Sequence, residues 1–313
     1  LSSLQEQVAQ ELAGSYDYLA FFCNSGAEAN EAAIKLARKA TGKQGIITFQ
    51  QSFHGRTFGA MAATGQDKIK EGFGDGVPHF SYAIYNDLAS VEKLVNQDTA
   101  AVMLELVQGE SGVRPAEAAF VKDLADFCRR EEILLIVDEV QTGMGRTGQL
   151  YSFEYYGIIP DIVTLAKGLA NGLPSGALLG KSSLAPAFGP GSHGSTFGGN
   201  KLAMAAALET LHIMKEAGFM EEVRSKSAIL LEQLQFAFQD HPKISAVRGL
   251  GMMIGIETSA SLSKIVEAAR QKGLIILTAG ENVIRLLPPL TISREEIQQG
   301  IAILKEVFSE VDE

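Results

Sequence analysis

Three stretches of this chain put chemically capable groups at the ends of apolar segments. In NSGAEAN, residues 24 to 30, an apolar run ends, Ser25 can cap a helix and Glu28 stands three residues on; that spacing predicts a helix start. The amides of Gly26 and Ala27 then point outward, and such amides together with the helix dipole favour an anion such as a phosphate. An ordinary capped helix that binds nothing has the same pattern. In ILLIVDEV, residues 133 to 140, five apolar residues run into Asp138 and Glu139. A carboxylate leaving so apolar a strand needs a metal, an arginine or a protonated ligand nitrogen, because an unpaired buried charge is costly. In IVTLAKGLANGLP, Lys167 ends another such run and is followed by Gly168, Gly172 and Pro174, which permit a sharp loop. An amine in an apolar pocket loses its charge readily and can form an imine with a carbonyl.

Taken singly, each feature has a plain alternative, a solvated lysine or a strand-end acid among them. Taken jointly, an anion-type helix start, a strand-end carboxylate and a lysine at the next strand end describe the needs of pyridoxal phosphate, with its phosphate, ring nitrogen and aldehyde. The Asp138-Glu139 pair also suggests a nucleotide hydrolase, but no G-x-x-x-x-G-K-[ST] loop precedes it, so that reading fails. His54, a lone histidine beside Phe53, is assigned no role.

Short apolar runs recur at 19 to 24, 46 to 49, 100 to 107, 133 to 140, 162 to 166 and 176 to 180. They suit buried parallel strands. Helical patterns such as Ala33, Leu36, Ala37, Ala40 and Val121, Leu124, Ala125, Cys128 lie between them. This alternation predicts an α/β fold with a mostly parallel sheet covered by helices. After a long apolar helix beginning near Leu202, shorter runs (VRGLGMMIGIE, GLIILTAG, VIRLLPPL) predict a second, smaller α/β or α+β unit. The last helix is announced by Ser293 and Glu296 and by the stripe Ile297, Ile301, Leu304, Phe308. The expected division is residues 1–207 as a large domain and 208–313 as a small one.

The bulk properties restrict the partners. With 313 residues, 46% of them hydrophobic, there is material for about two domains. A formal charge of −10 and an isoelectric point near 5.1 leave little attraction for nucleic acid or anionic lipid. No run approaches the roughly 18 apolar residues of a membrane span. Cys23 and Cys128 lie in apolar runs without metal-ligand spacing, which predicts buried free thiols and a reducing cytoplasm. The opening pattern Leu4, Val8, Leu12 reads as mid-domain helix, so an N-terminal segment is expected to be missing.

The run NSGAEANEAAIKLAR, then FHGRT, ELVQGESG, VDEVQTGMGRTG, LAKGLANGLP, HGSTFGGN and VIRLLPPLTI, in that order along essentially the whole chain, resembles class III aminotransferases. These are pyridoxal-phosphate enzymes of fold type I. Within the class, FHGRT, HGSTFGGN and the run LTAG to LLPPL look most like acetylornithine aminotransferases. The resemblance implies transfer of the terminal amino group of N2-acetyl-L-ornithine to 2-oxoglutarate, in arginine biosynthesis. Its alternatives are ornithine, 4-aminobutyrate or succinyl-diaminopimelate as donor. Lys167 would be the lysine that bonds the cofactor aldehyde and moves the substrate proton. Gly26, Ala27, Phe53, Asp138, Glu139, Val140, Gln141 and Thr196 would complete the cofactor set. Asp138 would pair with the ring nitrogen, Gln141 with the ring O3′ oxygen, Phe53 with the ring face, and Gly26 and Ala27 with the phosphate. Thr196 would come from the neighbouring subunit of a homodimer, as would Ser195 toward the substrate. Arg285 would take the α-carboxylate of glutamate or 2-oxoglutarate and Arg56 the distal carboxylate, bidentately. Glu110 would cover Arg285 when acetylornithine is bound.

The sequence departs from the family pattern at Leu106, Lys201 and Glu281, where proline is usual; little change in chemistry is expected. Two other classes of function remain open at this point. One is a non-catalytic phosphate-binding α/β protein with a structural Lys167. The other is a pyridoxal enzyme for racemisation or decarboxylation, which would not need Arg285 and Glu110.

Overall fold

Each of the six apolar runs supplies a strand to one sheet in the computed structural model, which describes residues 3–311. The chain divides into two compact units. The first unit contains the chain up to Leu106, Ala116–Met144 and Tyr151–Glu216. Its strands are β1 (Tyr18–Cys23), β2 (Gly45–Phe49), β3 (Phe80–Ala83) and β4 (Thr99–Leu104). Two short strands of the second unit follow, β5 (Val107–Gln108) and β6 (Arg114–Pro115), before β7 (Leu134–Asp138), β8 (Ile162–Leu165) and β9 (Gly176–Lys181) return to the first.

The seven strands of the first unit run in the order β1-β9-β8-β7-β4-β2-β3. β3, β2, β4, β7 and β8 pair in parallel, whereas β9 is antiparallel to both β8 and β1. The run 176 to 180 is therefore a strand, but a reversed one. The reason lies in the segment 166–175, which holds only a short 3₁₀ turn, Lys167–Ala170, and is too brief for the crossover that a parallel return demands. β3, which the sequence reading did not anticipate, closes the far edge with three of its four residues half-buried. Helix Gly26–Thr41 lays Ala33, Ile34 and Ala37 against the sheet residues Met103, Ile136 and Ile162, all buried. Helix Ala118–Arg130 packs along β7 and buries Val121, Leu124 and Cys128. Both cysteines are buried free thiols. No helix of the described residues is long and apolar enough to cross a membrane.

The second unit contains Val107–Pro115, Gly145–Leu150 and the chain from Ala217 onward. Its four-stranded sheet has the order β10-β11-β13-β12, with β10 (Ile244–Leu250), β11 (Met253–Thr258), β12 (Leu277–Ala279) and β13 (Val283–Leu286). Every pairing is antiparallel, which gives this unit α+β character. Helix Arg294–Val311 starts as expected: the Ser293 amide donates to Glu296 Oε2 at 2.7 Å and the Glu296 amide donates to Ser293 Oγ at 3.1 Å. Ile297, Ile301, Leu304 and Phe308 are buried along it.

Candidate active site

The register of the first sheet sets up the site. Asp138, the last residue of β7, lies opposite Thr164 of the parallel neighbour β8, and Lys167 follows three residues later. Two strand-end groups thus emerge side by side at the carboxyl edge of the sheet, where ligands bind in open α/β folds. They line one cavity of about 470 Å³, within the usual range for a cofactor site. Asn24, Ser25, Gly26, Ala27, Phe53, Val140 and Gln141 also line it.

The phosphate end is built by the start of helix Gly26–Thr41. Ser25 Oγ accepts from the Glu28 amide at 3.2 Å, fixing the first turn. The Glu28 carboxylate accepts from the amide and side chain of Asn24 rather than from the Ser25 amide. Gly26 and Ala27 sit in the turn whose amides have no acceptor inside the helix. A Cβ on Gly26 would lie 2.7 Å from Val140 Cγ1, so only glycine lets the cradle meet the strand end so closely.

At the other end, Asp138 is nine-tenths or more buried and its oxygens are held separately. Oδ1 accepts from the Val140 amide at 2.9 Å, and Oδ2 accepts from Asn30 Nδ2 at 2.8 Å. His54 Nδ1 also lies 2.7 Å from Oδ2; since an ionised carboxylate only accepts, the ring donates from Nδ1. Asn30 is itself fixed by Thr164 Oγ1, which donates to its Oδ1 at 2.7 Å, and by its own donation to the His54 carbonyl at 2.6 Å. His54 and Asn30 are thus site residues that the sequence reading missed. Asn30 did leave a signal, as the one polar member of the stripe Asn30, Ala33, Ile34, Ala37 on a buried helix face. His54 left none.

Lys167 adopts a left-handed backbone conformation, φ 45°, at the head of the turn Lys167–Ala170. A non-glycine residue held there costs on the order of 1–3 kcal/mol and persists only where the surroundings impose it. Phe53 lines the cavity half-buried, its amide donating to the Oε2 atom of buried Glu105 at 2.9 Å.

The remaining sequence candidates fall elsewhere. The Glu139 carboxylate faces away from the cavity and accepts from Ser152 Oγ at 2.7 Å, Thr142 Oγ1 at 2.6 Å and the Phe153 amide at 2.9 Å; burial raises its pKa against these bonds. Arg56 is exposed just beyond Gly55, where the cavity wall ends. Ser195 and Thr196 line a separate cavity of about 470 Å³ that shares Asn24 with the first, and Asn24 Nδ2 donates to Ser195 Oγ at 3.1 Å. In the second unit, Arg285 on β13 is buried and donates from Nη1 to Glu110 Oε1 at 2.9 Å and to the Gly109 carbonyl at 3.0 Å.

An anion-binding helix start, a held carboxylate and a lysine around one cavity form a site for pyridoxal phosphate, and the donor set fits that group at each end. The chain belongs to the class III aminotransferases, whose family pattern matches residues 1–308. It is therefore a pyridoxal-phosphate-dependent transaminase of fold type I. It is 68% identical to the acetylornithine aminotransferase of Streptococcus mutans over 99% of this chain and 82% of that protein. Among solved structures, it resembles the ornithine aminotransferase of Toxoplasma gondii with a TM-score of 0.95 and 29% identity, covering 100% of this chain and 78% of that one. It also resembles an amine transaminase from an uncultivated Pseudomonas species in its PLP-bound form, with a TM-score of 0.92 and 28% identity over 99% and 82% of the two chains.

Proposed function

We propose that this chain moves the terminal amino group of N2-acetyl-L-ornithine to 2-oxoglutarate, giving N-acetylglutamate 5-semialdehyde and glutamate in arginine biosynthesis. The observation that carries the chemistry is the single cavity lined by Lys167, Asp138 and the start of helix Gly26–Thr41. The donor is supported by the 68% identity to a protein named for that activity.

When bound, pyridoxal phosphate supplies an electron-accepting ring and an aldehyde carbon that carries the amino group between substrates. The Gly26 and Ala27 amides would hold the phosphate. Asp138, held by Asn30, His54 and the Val140 amide, would pair with the ring nitrogen and favour its protonated form. Phe53 would pack on the ring face and Gln141 would bind the ring O3′ oxygen; both line the cavity. The Lys167 amine would bond the cofactor aldehyde and carry the proton removed from the substrate carbon that bears the reacting nitrogen. Arg285 binds the α-carboxylate of glutamate, and Glu110 neutralises Arg285 when a substrate brings no carboxylate to it; their 2.9 Å pair supports this alternation. Arg56 takes the other carboxylate. Ser195 and Thr196 serve the site of a second copy in a homodimer; the exposure of Phe197 at 73% and Leu202 at 70% supports a covered surface there. The two buried free thiols support a reducing cytoplasm.

Added pyridoxal phosphate should give a visible absorption band that is absent in Lys167→Ala; a band of equal strength in the variant would remove Lys167 from its role. Turnover of acetylated and free ornithine, measured side by side with 2-oxoglutarate, decides the donor. The likeness to an ornithine aminotransferase makes free ornithine the second reading, and a preference for it would overturn the first.

A further inference from the structure

The Glu110 carboxylate belongs to a loop that is built with unusual care. β5 and β6 form a small hairpin, Val107 opposite Pro115 and Gln108 opposite Arg114, and the loop between them carries Glu110. Its far side turns through two left-handed residues, Gly112 at φ 114° and Val113 at φ 51°. Glycine tolerates this; a β-branched valine does so only when its surroundings over-determine it.

Those surroundings are identifiable. The Arg248 guanidinium on β10 donates from Nε to the Val113 carbonyl at 3.1 Å, and from Nη2 to the Gly112 carbonyl at 2.8 Å. Its third nitrogen, Nη1, is ion-paired with Glu257 on β11. This lowers the Glu257 pKa, through the Arg248 hydrogen bond first, and Asn282 Nδ2 donates to the same carboxylate at 3.3 Å. The Val113 side chain is buried against Val107 and Met253. On its other flank stands Gly255, where a Cβ would come within 3.0 Å of Val113 Cβ. On the Glu110 side of the loop, the Gly280 amide donates to the Glu110 carbonyl at 2.8 Å. The rigid fork of an arginine is suited to spanning two carbonyls and a carboxylate at once, which a lysine cannot do.

We propose that Arg248 is the positioning residue of the Glu110 cover: by holding the Gly112 and Val113 carbonyls it fixes the loop in the conformation that places Glu110 on Arg285, and so sets the balance between the two half-reactions. The inference rests on the reading above of Arg285 as the carboxylate-binding arginine and Glu110 as its cover. Arg248 acts through the backbone of the loop, at the Gly112 and Val113 carbonyls.

The test measures kcat/KM of the two half-reactions separately, glutamate against N2-acetyl-L-ornithine, on the holoenzyme. Glu110→Ala should raise the glutamate-to-acetylornithine ratio, because Arg285 is then uncovered for every substrate. Arg248→Ala should shift the ratio in the same direction by roughly three- to tenfold, with Arg248→Lys in between. The double variant Arg248→Ala/Glu110→Ala should shift it no further than Glu110→Ala alone. Should Arg248→Ala fold poorly, Glu257→Gln loosens the same arginine from a more exposed position and should shift the ratio in the same sense. A merely structural arginine would depress both half-reactions equally. An unchanged ratio in Arg248→Ala and Glu257→Gln, or effects that multiply with Glu110→Ala, would overturn the role of Arg248. An unchanged ratio in Glu110→Ala would instead overturn the reading of the cover itself, and the proposal with it.

Discussion

His54 shows how a residue of no apparent importance acquires a place. Its ring is fully buried and lies 2.7 Å from the acid proposed to meet the cofactor nitrogen. Hydrogen bonds to charged groups contribute about 1.5–3 kcal/mol, so His54→Ala should weaken pyridoxal-phosphate binding by at least roughly tenfold. Gln in its place retains an N–H and should recover part of the loss. The measurement is the dissociation constant of the cofactor from each variant, followed by the visible band. Equal affinity in the wild type, His54→Ala and His54→Gln would reduce His54 to packing. The neighbouring pair Asp138 and Glu139 carries a lesson of the same kind. Successive side chains at a strand end point to opposite sides, so only one of the two could face the cavity, and Glu139 instead ties the strand end to Ser152 and Phe153.

The elements position the site through close backbone approach as much as through side chains. Helix Gly26–Thr41 begins against Val140, and a methyl group on Gly26 would stand 2.7 Å from Val140 Cγ1. Gly26→Ala should therefore push the first turn off the strand end and lower cofactor affinity about tenfold or more, an order of magnitude consistent with overpacking penalties of about 1–3 kcal/mol. Adding Val140→Ala removes the two methyl groups in the way and should restore most of the affinity, as read by cofactor titration of the single and double variants. Failure of Val140→Ala to rescue would mean that Gly26 is needed for a reason other than this contact. The turn Lys167–Ala170, with Lys167 at φ 45°, is the matching device on the lysine side.

At the scale of the molecule, the proposed homodimer makes a prediction about dilution. If Thr196 and Ser195 of one copy complete the site of the other, cofactor retention should fall together with the dimer as the protein is diluted, measured by sedimentation and by the visible band on the same samples. Retention that stays constant while the dimer dissociates would refute a shared site. Much of the first sheet was legible because apolar runs bounded by turn residues are a strong local signal, and Asp138 and Lys167 stood out as polar ends of those runs. β3 escaped because FSYA is short and mixed in polarity, as suits an edge strand. The reversed direction of β9 escaped because direction depends on the length of a connection, not on strand composition. Asn30, His54, Thr164 and Arg248 act through partners far away in sequence, and no local pattern records such contacts. The positive φ of Val113 is likewise invisible in a residue that ordinarily shuns it.

The pairing of β1 with β9, in which Cys23 lies opposite Gly176, has a consequence for biosynthesis. Asn24 and Ser25, which begin the anion cradle, continue directly from a strand whose partner in this sheet is the last of its strands to be synthesised. A nascent chain halted before β9 would hold the central parallel strands and an unmoored cradle. The cradle should therefore be fixed only once β9 has been made, with Gly176, where a Cβ would press on the Ser25 carbonyl, the residue that lets the two strands meet there.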